Sequence, residues 1–290
     1  MDYKNLRGKT FILGVGAQKS GTSWLHHYLL HHPSVKMSAI KEVHFWDQKF
    51  RGDLCHSFKE QFQNNLRSAV SREENFQTSL GLDEISYWVD MVRMGHQDRA
   101  YFEYFDRLAI GEQSHIGEIT PSYSLIRKEG WEEIKKNFLS QDIQLKIVFL
   151  MRNPVERYYS ALRMFEQKQL ISSATQSFLA ELDNPQHIER TRYDLTIESL
   201  LSVFGKDEIY FGFYETMFNS GTIENLCHFL DLAYIPAKFD EKVNASSSTR
   251  SLSPHEIAQA LNRFSVTYEY CQEFFGNKLP QDWRDTYALS

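Results

Sequence analysis

The chain has 290 residues, enough to bury a full hydrophobic core within one α/β domain. Its 38 Asp and Glu residues outnumber its 32 Lys and Arg residues, and the net charge of −6 without a dense basic block argues against nucleic-acid binding. The cysteines are odd in number and far apart, at Cys55, Cys227 and Cys271, which favours a reducing compartment over a disulfide framework or a zinc site.

The N-terminal stretch predicts no membrane segment. Met1 to Thr10 is polar and charged, and the longest apolar runs, such as Ile147 to Met151, are far too short to cross a bilayer. We therefore expect a soluble, cytoplasmic protein, with an anchor on a longer chain as the alternative. The sequence contains no heptad repeat from which an oligomeric state could be predicted.

Hydrophobic periodicity predicts strands that alternate with helices. The predicted elements of the first half are, in order, a strand from Phe11, a helix to Leu30, a strand at Val35 to Met37, a helical insertion over about 50–110, a strand at Ser114 to Glu118, a helix over 129–139 and a strand at Leu145 to Met151. Those of the second half are a long helix from Pro154, further helix over 170–204 with a break near Asn184-Pro185, a strand at Glu208 to Tyr214, a helix at Thr222 to Leu232, a polar loop over 238–253 and a final helix through Ile257 and Tyr268. This alternation predicts one three-layer α/β domain over 1–290, with a central parallel sheet and helices on both faces.

The turn after the first strand has the composition of a phosphate-binding loop. Gly16 and Gly21 allow positive φ, and the amides from Lys19 to Ser23 can converge on an anion at a helix N-terminus. A nucleoside-triphosphate loop would carry lysine at the position of Thr22, whereas the lysine here, Lys19, lies inside the loop. This pattern favours a single 5′-phosphate that needs no metal, over a glycine-rich turn that merely links strand and helix.

A second anion site is predicted where the strand at 145–151 ends. Arg152 leaves the carboxyl end of that strand, where open α/β sheets bind ligands, and a guanidinium can hold a phosphate through two hydrogen bonds. Asn153 and Pro154 are typical of a helix start, and Ser160 lies about two turns along that helix. Two anion sites fit a nucleotide that is phosphorylated at both its 5′ and 3′ positions, which ATP is not.

These segments resemble the sulfotransferases that use 3′-phosphoadenosine 5′-phosphosulfate (PAPS). Gln18-Lys-Ser-Gly-Thr-Ser-Trp24 looks like the family's first cofactor motif, and Val148-Phe-Leu-Met-Arg-Asn-Pro-Val-Glu-Arg-Tyr-Tyr-Ser160 closely resembles its motif for the 3′-phosphate. The resemblance implies PAPS as cofactor, 3′,5′-adenosine bisphosphate as its product and no metal. The implied cofactor contacts are Gln18, Lys19, Ser20, Gly21, Thr22, Ser23, Trp24, Arg152, Ser160 and, in a loop over the cofactor, Arg250.

Sulfuryl transfer requires a base for the acceptor, a group that stabilises the leaving phosphate oxygen, and in-line alignment. Lys19 is the natural stabiliser. Glu42-Val-His-Phe-Trp-Asp47 resembles a segment of the glycan-modifying sulfotransferases, the heparan sulfate type among them, in which the Glu is the base. We therefore predict Glu42 as base with His44 as partner or alternative, and expect burial or a neighbouring carboxylate to raise the pKa of Glu42.

Gly117-Glu-Ile-Thr-Pro-Ser-Tyr123 resembles the family segment along the acceptor cleft, which makes Glu118 and Tyr123 candidate substrate contacts. The glycosaminoglycan enzymes carry a lysine where this chain has Ile119, a departure that argues against a polyanionic sugar. The resemblance implies a hydroxyl or amine of a small-molecule or carbohydrate acceptor. The spacing of His26, His27, His31 and His32 permits a metal pair, but a solvated helix surface is favoured.

Two other functions remain as alternatives. A P-loop kinase or NTPase would need a lysine at position 22 and an acidic residue closing an apolar strand, and the strand at 145–151 ends in Met151 and Arg152 instead. A non-catalytic nucleotide-binding module would keep cofactor binding after replacement of Glu42 or His44 and would have no turnover to lose.

Overall fold

The computed structural model describes residues 3–39, 41–55, 58–72, 78–240 and 252–289. Within these ranges, five parallel strands form one sheet in the order β2-β3-β1-β4-β5. The strands are β1 Thr10–Gly16, β2 Val35–Met37, β3 His115–Ile119, β4 Gln144–Met151 and β5 Ile209–Phe213.

The α-helices are α1 Thr22–Leu30, α2 Trp46–Phe50, α3 Gly52–Cys55, α4 Phe58–Ser71, α5 Ser79–Met94, α6 Arg99–Leu108, α7 Lys128–Leu139, α8 Pro154–Gln167, α9 Pro185–Glu189, α10 Tyr193–Leu201, α11 Ser220–Phe229, α12 Pro254–Phe275 and α13 Gln281–Tyr287. Short 3₁₀ helices cover Pro121–Leu125, Tyr214–Thr216 and Gly276–Lys278. No helix of the described ranges has the length and apolar character needed to cross a bilayer, and the cytoplasmic location stays a prediction.

Both faces of the sheet are buried, which explains why its strands are nearly continuous apolar runs. Phe11 and Leu13 of β1 belong to the larger core, which includes residues of α6, α7, α8, α10 and α12. Ile12 belongs to the smaller core, with residues of α1 and α11. The predicted three-layer architecture with a parallel sheet is thus confirmed.

The segment before α10 departs from the prediction of further helix over 170–204. Only α9 and α10 are α-helical there, and the chain over 174–183 forms successive turns. Phe178 is fully buried, and its carbonyl accepts a hydrogen bond from the Tyr158 hydroxyl of α8 at 2.5 Å. Packing on α8 therefore overrides the local helical periodicity. The insertion over 50–110 is helical as predicted, in the ranges that the structure describes there.

The strand order determines where a ligand can bind. From β1 the chain crosses to one side for β2 and β3, and to the other side for β4 and β5. In open α/β sheets, ligands bind beyond the carboxyl ends of the strands at such a switch point. The loop after β1, the residues that follow β3 and Arg152 after β4 all lie at this edge.

Candidate functional site

The loop between β1 and α1 adopts backbone conformations that leave its amides available. Gly16, Lys19 and Gly21 have φ of 149, 69 and 81°. The Leu25 amide donates to the Gly21 carbonyl, but the amides of Gly21, Thr22 and Ser23 donate to no acceptor within the described part of the chain. Free amides at a helix N-terminus form an anion-binding cradle.

Side chains of the loop leave polar groups unsatisfied in the same place. Ser20 is fully buried, and its hydroxyl has no hydrogen-bond partner among the described residues. The Gln18 side-chain carbonyl likewise has none. Because buried polar groups are normally hydrogen-bonded, an orphaned hydroxyl in a loop of free amides fits a bound ligand that accepts hydrogen bonds, such as a phosphate.

Lys19 lies among other cations. Burial lowers the pKa of its ammonium, and the neighbouring charges of Arg152, Arg163, Lys168 and Lys41 lower it further. Repulsion among cations around a partly buried lysine is relieved when an anion binds between them. The positive charges around the loop and its free amides therefore both favour binding of an anion.

The second predicted anion site adjoins the first. The Arg152 guanidinium donates to the Lys19 carbonyl at 3.5 Å and to the Glu156 carboxylate at 3.2 Å, and it stacks 4.5 Å from the ring centroid of Tyr214. An arginine has five N–H donors, so donors remain for a ligand. Ser160 is buried on α8, one turn beyond Glu156 on the same helix face. Lys19 and Arg152, which are 133 positions apart in the sequence, thus lie at one site.

Glu42, His44 and Asp47 form a continuous chain of charged groups. One Glu42 oxygen accepts from Lys41 Nζ at 2.8 Å, and the other lies 3.2 Å from His44 Nε2. His44 Nδ1 is 2.7 Å from Asp47 Oδ2, which also accepts from the Ser122 hydroxyl. Lys41 pairs with Glu42, and its positive charge is one of those that lower the pKa of Lys19.

The family is decided by comparison with known proteins. A family model of the sulfotransferase domain matches residues 9–286. The chain belongs to the sulfotransferase family. A solved sulfotransferase from Alicyclobacillus acidocaldarius is 18% identical and superposes with a TM-score of 0.65 over 95% of this chain and 99% of that one, which supports the same fold.

Curated relatives include carbohydrate sulfotransferase 15 of Mus musculus, which is 23% identical over 303 residues that cover 90% of this chain and 50% of that protein. The Homo sapiens protein of the same name is 27% identical over 161 residues, covering 50% of this chain and 25% of that protein. The chain therefore spans about half the length, 50%, of the curated relative that it matches over most of its own length.

In this sulfotransferase, the pKa values of Glu42 and His44 differ from those expected from the sequence. Burial alone would raise the pKa of Glu42, but the Lys41 ammonium and His44 outweigh it and lower that pKa. Burial opposes a charge on His44, yet Asp47 and Glu42 raise its pKa to about 9. The expectation of a raised Glu42 pKa was therefore wrong. At neutral pH, Glu42 is a carboxylate and His44 an imidazolium.

The candidate acceptor residues lie beneath the surface. Glu118 and Tyr123 are both fully buried, so neither has surface with which to contact an acceptor in this structure. Burial raises the pKa of Glu118 to about 7, against the hydrogen bonds from Thr120, Tyr123 and Tyr101. Ile119 is buried in the smaller core, so the identity of this residue does not bear on the acceptor here.

Trp24, Thr22 and Arg250 are the remaining predicted cofactor contacts. Trp24 is stacked between Tyr28 and Phe239, with ring centroids 5.7 and 5.8 Å away, so its ring lies inside an aromatic cluster of this sulfotransferase. Thr22 is the first residue of α1 and is buried. Arg250 and the rest of residues 241–251 of the predicted polar loop lie outside the described residues. No cluster of metal-binding residues occurs within the ranges that the structure describes.

Sequence reasoning missed Lys41, Ser122 and Arg163 as members of this site. The sequence signal for Lys41 is its position next to Glu42, and that for Arg163 is its spacing from Glu156 and Ser160, which places all three on one face of α8. Ser122 lies in the segment that resembles the acceptor cleft, but its bond to Asp47 depends on how the chain after β3 folds back and could not be predicted.

Gly21→Ala should destabilise the protein by about 1–3 kcal/mol through overpacking and positive-φ strain. A Cβ at Gly21, where φ is 81°, would lie 2.4 Å from Met217 Sδ. Gly52→Ala is the matched control, because a Cβ there meets nothing within 4 Å. Urea unfolding measures both variants. Equal changes in the free energy of unfolding would show that the loop does not require glycine.

Proposed function

We propose that this protein transfers the sulfuryl group of PAPS to a hydroxyl or amine of a small-molecule or carbohydrate acceptor. One observation carries the proposal: the loop of free amides around Lys19 adjoins Arg152, and the segment of Glu42 is anchored through the Val43 amide to Thr120, which follows β3 and bonds to Gly14 of β1. A doubly phosphorylated nucleotide and a proton acceptor would thereby be held at one edge of the sheet.

The described residues fit this donor. The amides of Gly21, Thr22 and Ser23, the orphaned Ser20 hydroxyl and the Lys19 ammonium would hold the 5′-phosphate. Arg152 and Ser160 would hold the 3′-phosphate, in keeping with the resemblance of their segment to the family motif. PAPS, when bound, supplies a sulfuryl group on a phosphate leaving group.

The ionisation states favour Glu42 over His44 as the base. His44 carries a proton on both ring nitrogens below its pKa of about 9, so at neutral pH it cannot accept another. Glu42 is ionised and can take the acceptor proton as the new S–O or S–N bond forms. Because the acceptor becomes acidic as that bond forms, a weak base can act within the transition state.

Lys19 and His44 have the other proposed roles in sulfuryl transfer. As the S–O bond to the 5′-phosphate breaks, its electron pair stays on the phosphate oxygen, where the Lys19 ammonium stabilises the developing charge. His44, held between Glu42 and Asp47, fixes the orientation of the Glu42 carboxylate. The name of the curated relatives, carbohydrate sulfotransferase 15, supports a carbohydrate as the acceptor. A P-loop kinase is not favoured.

Calorimetry tests the donor site directly. We expect 3′,5′-adenosine bisphosphate to bind without Mg²⁺ and roughly tenfold to a hundredfold more tightly than ATP, which lacks the 3′-phosphate and its charge-assisted hydrogen bonds. Transfer from radiolabelled PAPS to a panel of hydroxyl and amine acceptors then tests turnover. Tight, magnesium-dependent ATP binding would contradict the proposal and favour a phosphotransferase.

A further inference from the structure

Side chains of residues that follow β3 bind the backbone of the segment that carries Glu42 and His44. We propose that Glu118 is a positioning residue whose carboxylate orients the hydroxyls of Thr120 and Tyr123 so that they hold the backbone amides of Val43, Phe45 and Trp46. The consequence for turnover rests on the proposed role of Glu42, but the arrangement itself can be measured without it.

The Glu118 carboxylate is fully buried and accepts three hydroxyl hydrogen bonds. One oxygen accepts from Tyr101 at 2.9 Å and Tyr123 at 2.8 Å, and the other accepts from Thr120 at 2.6 Å. No Lys or Arg in the described ranges forms a salt bridge with it. Its partners in the described ranges are therefore hydroxyls, and the function already described does not use it.

The carboxylate determines the direction of the next hydrogen bonds. A hydroxyl has one proton and two lone pairs, so a hydroxyl that donates to Glu118 can only accept from its other neighbours. Thr120 Oγ1 accepts from the Val43 amide at 3.0 Å. The Tyr123 hydroxyl accepts from the amides of Phe45 and Trp46, at 3.2 and 3.5 Å. Each of the two hydroxyls thus connects the Glu118 carboxyl group to the backbone.

The held segment needs such support. Glu42 and His44 have φ of 75 and 52°, in the left-handed region that residues other than glycine seldom adopt. Conformations of this kind persist only where surrounding contacts fix them. The three anchored amides lie between and beyond these two residues, so the anchors fix the backbone from which both functional side chains project.

Tyr101 provides a matched control for Tyr123. Both hydroxyls donate to the same Glu118 oxygen, and both residues are fully buried. Within the described part of the chain, the Tyr101 hydroxyl accepts from no backbone amide, whereas its ring stacks on Phe45 with centroids 4.8 Å apart. Substitution by phenylalanine keeps each ring and removes one hydroxyl donor from Glu118 in either case.

Hydrogen exchange followed by NMR tests the proposal in the full chain. In Tyr123→Phe the amides of Phe45 and Trp46 should exchange roughly tenfold faster, the equivalent of a lost net hydrogen bond. Tyr101→Phe should leave both rates nearly unchanged. Equal acceleration in the two variants would show a merely structural cluster, and unchanged protection in Tyr123→Phe would also overturn the proposal.

A second pair of variants tests the Thr120 relay. Thr120→Val removes the hydroxyl and should accelerate exchange of the Val43 amide roughly tenfold, whereas Thr120→Ser keeps the hydroxyl and should preserve protection. Loss of protection in both variants would overturn the proposal. If the exchange results hold but no sulfuryl transfer depends on Glu42, the positioning role stands and the proposed function fails, so the two failures are distinguishable.

Where transfer activity is measured, Tyr123→Phe should lower kcat about tenfold to a hundredfold, because displacement of a reacting group by about 1 Å is costly. The affinity for 3′,5′-adenosine bisphosphate should stay nearly constant, since Tyr123 does not contact the loop amides around Lys19. A fall in affinity with unchanged kcat would contradict a role exerted through Glu42.

Discussion

Glu42→Gln is expected to lower kcat by roughly 10²- to 10⁴-fold, the usual contribution of a positioned general base. The substitution keeps the size and planarity of the side chain but removes the charge that accepts the proton. Affinity for 3′,5′-adenosine bisphosphate should change little, because Glu42 pairs with Lys41 and His44 and does not belong to the loop of free amides. Single-turnover transfer from radiolabelled PAPS and calorimetry measure the two quantities separately.

His44→Ala is the informative comparison. The imidazolium lies between Glu42 and Asp47, so its removal should misplace Glu42 and lower kcat, but by less than Glu42→Gln. In Glu42→Gln the imidazolium loses one of its two carboxylates, and the pKa of His44 should fall below about 9, which NMR titration can follow. Activity that survives Glu42→Gln but is lost in His44→Ala would reverse the assignment of the base.

His44 also links stability to pH with a definite sign. Its pKa is raised from 6.5 to about 9 in the folded protein. The resulting stabilisation is therefore fully present below pH 6.5 and is lost as the pH rises through about 9. The stabilisation through His44 is thus greatest below pH 6.5, and most of it is still present at neutral pH, where we expect transfer to occur.

Most of the fold was predictable because its signals are local. A strand buried on both faces of a parallel sheet requires an apolar run, and the predicted strand at Leu145 to Met151 matches β4, Gln144–Met151, within one residue. The Asn153 side chain accepts from the Glu156 amide and Pro154 begins α8, as the sequence of the cap predicts. The turns over 174–183 were missed because contacts with α8 determine them.

The conformation of the candidate site could be predicted where one continuous motif determines it. It could not be predicted where contacts between distant parts of the sequence determine it. The loop around Lys19 follows from glycine spacing within one stretch. The lowered pKa of Glu42 depends on where the Lys41 ammonium lies, and the burial of Glu118 depends on Tyr101, which belongs to the helical insertion. Residues that resemble an acceptor-cleft segment can therefore be buried beside the segment of Glu42, which a pattern of residue types does not reveal.

Lys19→Met is expected to lower kcat about 10²- to 10³-fold, because the ammonium stabilises charge that develops on the leaving phosphate oxygen. The same substitution should raise the free energy of unfolding by about 1 kcal/mol, as is common when a functional group is held in an unfavourable place. The sign follows from the lowered pKa of Lys19. Its charge destabilises the folded state at neutral pH, and stability should rise as the pH approaches the ordinary value of 10.5.

Arg152→Met separates a transition-state role from a binding role. Arg152 donates to the Lys19 carbonyl and lies after β4, at the predicted 3′-phosphate site, whereas the bond that we propose to break is on the 5′-phosphate. Its loss should weaken binding of 3′,5′-adenosine bisphosphate about tenfold to a hundredfold and leave kcat at saturating PAPS nearly unchanged. If Lys19→Met instead weakens binding as much as Arg152→Met and leaves kcat intact, Lys19 serves only to hold the donor, and the stabilisation of the leaving oxygen must come from another of the surrounding cations, such as Arg163 or Lys41.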